Sequence, residues 1–72
     1  MNIKLVFWNG TDWWALYKDN KLVTCNHDSY LQCYVDKILS RLGIEYERYR
    51  IPWSIMITDT FTELEEYCER IE

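Results

Sequence analysis

Glycine and proline are almost missing from this chain of 72 residues, with two of the first and one of the second, and histidine occurs once. Gly10 and Gly43 lie far apart, so no glycine-rich loop is available to cradle a phosphate. Cysteine is scarce and odd in number: Cys25, Cys33 and Cys68 form no Cys-x-x-Cys pair, which argues against a disulfide framework or a zinc site and leaves three reduced, mostly buried thiols. No apolar run approaches the roughly 20 residues a bilayer span needs. Met1-Asn2-Ile3-Lys4 does not open a signal peptide, so the expected location is cytoplasmic, with no membrane partner. The polar bias of a disordered tail is also missing, since 49% of the residues are hydrophobic and 17% aromatic. Seventy-two residues then imply one compact domain, 1–72, of modest stability.

Basic excess is missing too. The net charge is −4, and it is unevenly spread. Residues 1–58 hold seven basic and six acidic side chains, a balance of +1, whereas 59–72 hold six acidic ones and Arg70, a balance of −5. An acidic C-terminus of this kind disfavours attachment to nucleic acid or an anionic membrane, both of which repel it. It reads either as a solvated helix face or as a surface that meets a basic partner or imitates nucleic-acid charge.

Turn chemistry organises the first 27 residues. Asn9-Gly10 and Asp19-Asn20 are two-residue hairpin signals, because these residues tolerate positive φ. They predict three antiparallel strands, about Ile3 to Trp8, Asp12 to Lys18 and Lys21 to Asn26. With two-residue loops Leu5 faces Trp14, Ile3 faces Leu16, Leu16 faces Val23 and Trp14 faces Cys25. Side chains alternate between faces, so one face reads Ile3, Leu5, Phe7, Trp14, Leu16, Val23, Cys25, the expected core. The other reads Lys4, Val6, Trp8, Trp13, Ala15, Tyr17, Leu22, Thr24, Asn26 and is heavy in rings.

Ser29-Tyr30-Leu31-Gln32 matches a capping box, with Ser29 as its cap. Leu31, Tyr34, Val35, Ile38, Leu39 and Leu42 follow at helical spacing, and Gly43 supplies the left-handed stop, so a helix over Tyr30 to Leu42 is expected to cover the core face. Ile44 to Ile51 reads as a fourth strand with a bulge, placed at an edge by Pro52. Ile51, Trp53, Ile55 and Ile57 alternate with Pro52, Ser54, Met56 and Thr58 and suggest a further short strand or extended segment. Thr60 with Glu63, or Thr62 with Glu65, offers a second capping box for a short final helix bearing Phe61, Leu64, Cys68 and Ile71 on its apolar stripe. The fold expectation is therefore α+β: a three- or four-stranded antiparallel meander packed on one face by a helix, in the order β-β-β-α-β-(β)-α.

Catalytic chemistry finds little to stand on. His27 has Cys25 and Asp28 near it in sequence, yet a nucleophile and its base must meet within hydrogen-bond reach, and Cys25 is expected to point into the core. No carboxylate pair sits in an obvious apolar cleft. The expectation is a protein that is not an enzyme and carries no cofactor or metal. The aromatic face leaves three readings open. Its rings are covered within the chain by the segment after Ile51 or by the last helix; or they form a protein interface; or they are a platform on which single-stranded bases stack beside Lys4, Lys18 and Lys21. The interface is the leading reading because Trp and Tyr dominate binding hot spots. It names Trp8, Trp13 and Tyr17 as anchors with Lys4 and Leu22 beside them, and Glu65, Glu66 and Glu69 as a secondary acidic contact.

Leu5-Val6-Phe7, Trp14-Ala15-Leu16-Tyr17-Lys18-Asp19-Asn20-Lys21-Leu22-Val23 and Asn26-His27-Asp28-Ser29 before a helix together resemble an arrangement in very small uncharacterised proteins of bacteriophages and related mobile elements. The resemblance covers roughly the first 45 residues and carries no functional residues with it. It implies an accessory protein that binds and modulates or inhibits a bacterial host protein in the host cytoplasm. Self-association as a homodimer or structural protein is the alternative.

Overall fold

The computed structural model describes residues 2–52 and 57–71. Five strands form one mixed sheet in the spatial order β3-β2-β1-β4-β5: β1 Ile3–Trp8, β2 Trp14–Lys18, β3 Lys21–Asn26, β4 Glu47–Ile51 and β5 Glu69–Ile71. Helix α1, Ser29–Arg41, joins β3 to β4, and a single turn, α2, Phe61–Leu64, precedes β5. The class is α+β, as the sequence implies. The first three strands are the expected meander, but β4 lies against β1 in parallel, pairing Lys4 with Glu47 and Trp8 with Ile51.

The turns explain the strand faces. At the first hairpin the last antiparallel pair is Phe7 with Trp14, and beyond it Trp8 N–H donates to Trp13 O at 3.0 Å around a four-residue loop, Asn9 to Asp12. Four residues instead of two shift every partner by two positions, so Leu5 meets Leu16, not Trp14. An even shift preserves which side chains share a face. At the second hairpin Asp19 and Asn20 both take positive φ, 51° and 65°, the geometry of a two-residue turn matched to strand twist. A bulge then opens between the Tyr17–Leu22 and Leu16–Thr24 pairs. The expected Leu16–Val23 and Trp14–Cys25 pairs are replaced by Leu16–Thr24 and Trp14–Asn26, Cys25 moves to the Ala15 side, and Val23 is left exposed.

Helix α1 begins one residue earlier than the capping-box reading. Its cap is Asp28, in place of Ser29, whose carboxylate accepts from the amides of Tyr30 (2.9 Å) and Leu31 (3.4 Å). It ends with Gly43 at φ 69°, where Gly43 N–H donates to Ser40 O and Ile44 N–H to Leu39 O, closing the last carbonyls in the pattern glycine permits. The helix lies across the sheet face bearing Ile3, Leu5 and Trp14, with Trp14 Nε1 donating to Asp28 O at 3.2 Å.

The opposite face is covered as well. Asp59 to Phe61 lie at the β3 edge, where Leu22 N–H donates to Asp59 O and Phe61 N–H to Asn20 O, both at 2.9 Å, and from there the chain crosses to pair Glu69–Ile71 with β4. This strap presses Phe61 and Leu64 onto Val6, Trp8, Ala15, Tyr17 and Ile51 to make the main core cluster. The expected ten-residue final helix is reduced to one turn. Thr60, at its start, makes no side-chain cap bond, and Glu69–Ile71 are in a strand because the open edge of β4 offers them ladder hydrogen bonds. That pairing also makes β4 an interior strand, so the expected edge position fails; Pro52 lies just past its end, where no ladder donor is lost. Of the further extended segment expected over Ile51 to Thr58, residues 53–56 lie outside the described residues, and Ile57 and Thr58 belong to no strand.

Candidate partner-binding surface

Each residue expected to form the binding face has a definite place. Trp8, Tyr17 and Lys4 are 5%, 0% and 7% exposed, so the three are enclosed within the monomer and do not form a surface. The reason is the strap. Tyr17 meets Phe61 edge-on with ring centres 5.6 Å apart, and its hydroxyl donates to Thr58 O at 2.9 Å. Burial pushes the Tyr17 phenol up to about 12. Lys4 lays its stem in the same enclosure. Its amine donates to Asn20 Oδ1 at 2.8 Å and sits 4.1 Å from the centre of the Phe61 ring, a cation on an aromatic face inside the fold. Leu22 is half-buried against this cluster.

Trp13 is separated from the others. It is 41% exposed at the foot of the first hairpin, its ring 5.0 Å from that of His27. Glu65, Glu66 and Glu69 are exposed on the outside of the strap. The structure therefore brings Trp8, Tyr17, Lys4 and Leu22 together as core, and leaves Trp13 and the acidic trio on the outside at separate places.

Nucleophilic chemistry has no assembled site among the described residues. The Cys68 thiol is pushed up to about 11, first by burial and then by the charge of Glu65, the opposite of what an activated thiolate needs. Cys25 is exposed on the Ala15 side of β3, and the His27 ring is turned to Trp13. No group of three or more His, Cys, Asp or Glu able to hold a metal ion occurs among the described residues. A cleft lies between the C-terminal end of α1 and β4, lined by Ser40, Ile44, Tyr46, Glu47 and Arg70. Within it Arg70 pairs with Glu47 at 3.6 Å, and beside it Arg48 pairs with Asp36 at 3.8 Å while the Tyr46 hydroxyl donates to the Asp36 carboxylate. That hydrogen bond to Asp36, with a smaller contribution from burial, raises the Tyr46 phenol; burial first, then its bond to Glu47, raises that of Tyr49.

The apolar surface that faces outward includes Leu31, Tyr34, Ile38 and Leu42, which the helical spacing assigns to the core. The Tyr46 hydroxyl donates to Asp36 and Arg48 pairs with it, which ties that side of α1 toward β4; Val35 beside it is half-buried and Leu39 buried. At 100° per residue the centre of the Leu31, Tyr34, Ile38, Leu42 row lies roughly a quarter turn away. Tyr30 is 85% exposed, Tyr34 63% and Leu42 68%, with Leu31 and Ile38 more than a third exposed. A sequence signal for this existed: six large apolar positions plus Tyr30 make a stripe wider than one sheet contact can cover. No helix among the described residues is long and apolar enough to cross a membrane. Searches against protein-family models, curated proteins and solved structures found no match to this chain.

Proposed function

We propose that this chain is a non-catalytic protein-binding module whose contact surface is the outward side of α1, not the aromatic sheet face. The observation that carries the reading is the row Leu31, Tyr34, Ile38, Leu42 with Tyr30: large apolar side chains on a regular helix, three of them mostly exposed and Leu31 and Ile38 partly so. A contiguous patch of several hundred Å² of this kind is what contact sites show and isolated surface residues do not. A helix presents it rigidly, at the spacing that helix-mediated recognition uses. The base-stacking alternative loses its physical basis, because Trp8, Tyr17 and Lys4 are enclosed. Within the same proposal, the bacteriophage accessory role and a host protein in the bacterial cytoplasm are supported by the resemblance over the first 45 residues, and Trp13 with Glu65, Glu66 and Glu69 stands as secondary contact only.

The test is a Tyr34→Ser, Leu42→Ser double variant. Both positions are mostly exposed, so its melting midpoint should stay within about 4 °C of the unsubstituted chain. Any complex the unsubstituted chain forms, with itself or another protein, should be lost in gel filtration and pull-down run side by side. Unfolding of the variant would show that the row belongs to the monomer's core and would overturn the reading.

A further inference from the structure

We propose that the outward side of α1 docks on an acidic partner protein, against an apolar surface flanked by carboxylates; this rests on the reading of α1 as a contact surface and adds the charge of what it meets. Spacing sets the pattern. Tyr30, Tyr34, Lys37 and Arg41 follow one another at steps of four, three and four, which on a helix makes a single line about 16 Å long. Leu31, Ile38 and Leu42 run beside that line, and all seven side chains reach solvent.

Charge decides the partner. No carboxylate shares this side of the helix: Asp28 is taken up by the amides of Tyr30 and Leu31, and Asp36 faces β4, where it pairs with Arg48 and accepts from Tyr46. Glu45, the next in sequence, follows the Gly43 stop and lines the cleft on the β4 side. The ion pairs among the described residues are Arg48 with Asp36 and Arg70 with Glu47, which leaves Lys37 and Arg41 unpaired there. Outward α1 therefore sets two positive charges among large apolar side chains.

The rest of the molecule makes this side distinct. The chain carries −4, hence −6 once these two cations are set apart. Glu63, Glu65, Glu66 and Glu69 are exposed on the strap, across the sheet from α1. The shortest dimension of the molecule, 22 Å, is more than twice the roughly 8 Å over which charge is felt at physiological ionic strength, so the strap does little to cancel the field at α1. An acidic surface is drawn to α1 and a basic one to the strap. Carboxylates suit the groups on offer, because the arginine fork and the tyrosine hydroxyls all donate to them, and tyrosine and arginine are the residues that most often anchor interfaces. Nucleic acid suits them less: two cations neutralise two phosphates at most, and the aliphatic row would be left wet.

Titration of the isotope-labelled chain with three synthetic helical peptides, followed by amide chemical shifts, tests this. The first has a leucine face flanked by glutamate; the others replace every glutamate by glutamine or by lysine. Shifts over Tyr30 to Leu42 should give the glutamate peptide an affinity about 2- to 30-fold above the glutamine peptide, the range for two exposed ion pairs, and added salt should erase the difference. The Lys37→Ser, Arg41→Ser variant, at two exposed positions, should erase it too with unchanged circular dichroism; should it fail to fold, the salt series on the unsubstituted chain decides. The lysine peptide should shift the strap instead. Equal affinity of the glutamate and glutamine peptides for α1 would overturn the acidic partner and leave α1 as a contact surface. No shift on α1 with any of the three would remove both readings. Two further outcomes overturn the partner's class. Loss of the α1 signals on phosphatidylcholine–phosphatidylserine vesicles, without preference for the glutamate peptide, would make the occupant an anionic lipid surface. A mass above 8.9 kDa in sedimentation equilibrium, restored to that value by the Lys37→Ser, Arg41→Ser variant, would make it the acidic strap of another copy.

Discussion

Replacing Phe61 by alanine should release the strap and cost this protein a large part of its stability. Phe61 is fully buried, meets Tyr17 and Tyr49 with ring centres 5.6 and 4.8 Å away, and carries the Lys4 amine on its face at 4.1 Å. Deleting a buried phenylalanine side chain costs about 3–5 kcal/mol, the sum of lost transfer energy and an unfilled cavity. A chain of this length has about 4–11 kcal/mol in total at the usual 0.05–0.15 kcal/mol per residue. At roughly 4–8 °C per kcal/mol for a domain of this size, the melting midpoint should fall by at least about 12 °C. Thermal and urea unfolding followed by tryptophan fluorescence would measure it, because Trp8 shares the cluster that Phe61 closes. A loss below about 1 kcal/mol, typical of exposed positions, would refute the conclusion that the strap completes the main core and would restore the aromatic sheet face as a candidate surface.

Other perturbations give separable outcomes. The Tyr17 phenol, held at about 12 against 10 in the unfolded chain, and the Cys68 thiol, about 11 against 9, are both raised, so the fold favours their protonated forms. Their contribution is complete below pH 9 and is lost as pH rises from 9 to 12; urea midpoints should decline across that window, and Tyr17→Phe should remove the upper part of the decline. Asp28→Ala should cost about 1 kcal/mol through loss of the α1 cap, read as a lowered melting midpoint, and up to about 2 kcal/mol if no nearby group substitutes. Lys4→Met keeps the stem and removes the charge, so its unfolding free energy should stay within about 1.5 kcal/mol of the parent, whereas Lys4→Ala empties packed volume and should cost more.

Much of the local grammar was legible in the residues. Asp19-Asn20 specified a turn because both positions accept positive φ, and Gly43 specified the end of α1 for the same reason. The faces of β1 and β2 survived a misjudged first loop only because the error was an even number of residues. The bulge after Leu22 had no such protection, and it exchanged the faces of Val23 to Cys25. The candidate site was less legible. Ile3-Lys4-Leu5-Val6-Phe7-Trp8 is apolar at nearly every position, the signature of a central strand covered on both sides and paired in parallel, and reading it as one core face and one open face put the binding surface where the core is.

What the sequence determined alone was the set of pieces: hairpins at Asn9-Gly10 and Asp19-Asn20 and one long amphipathic helix. These follow from local backbone preference and from side-chain period, which act within a few residues. Which apolar surface would be hidden was decided by tertiary structure. The strap's two pegs, Phe61 and Leu64, lie more than forty residues from β1 and β2, and their docking on Val6, Ala15 and Tyr17 left the row on α1 as the more exposed one.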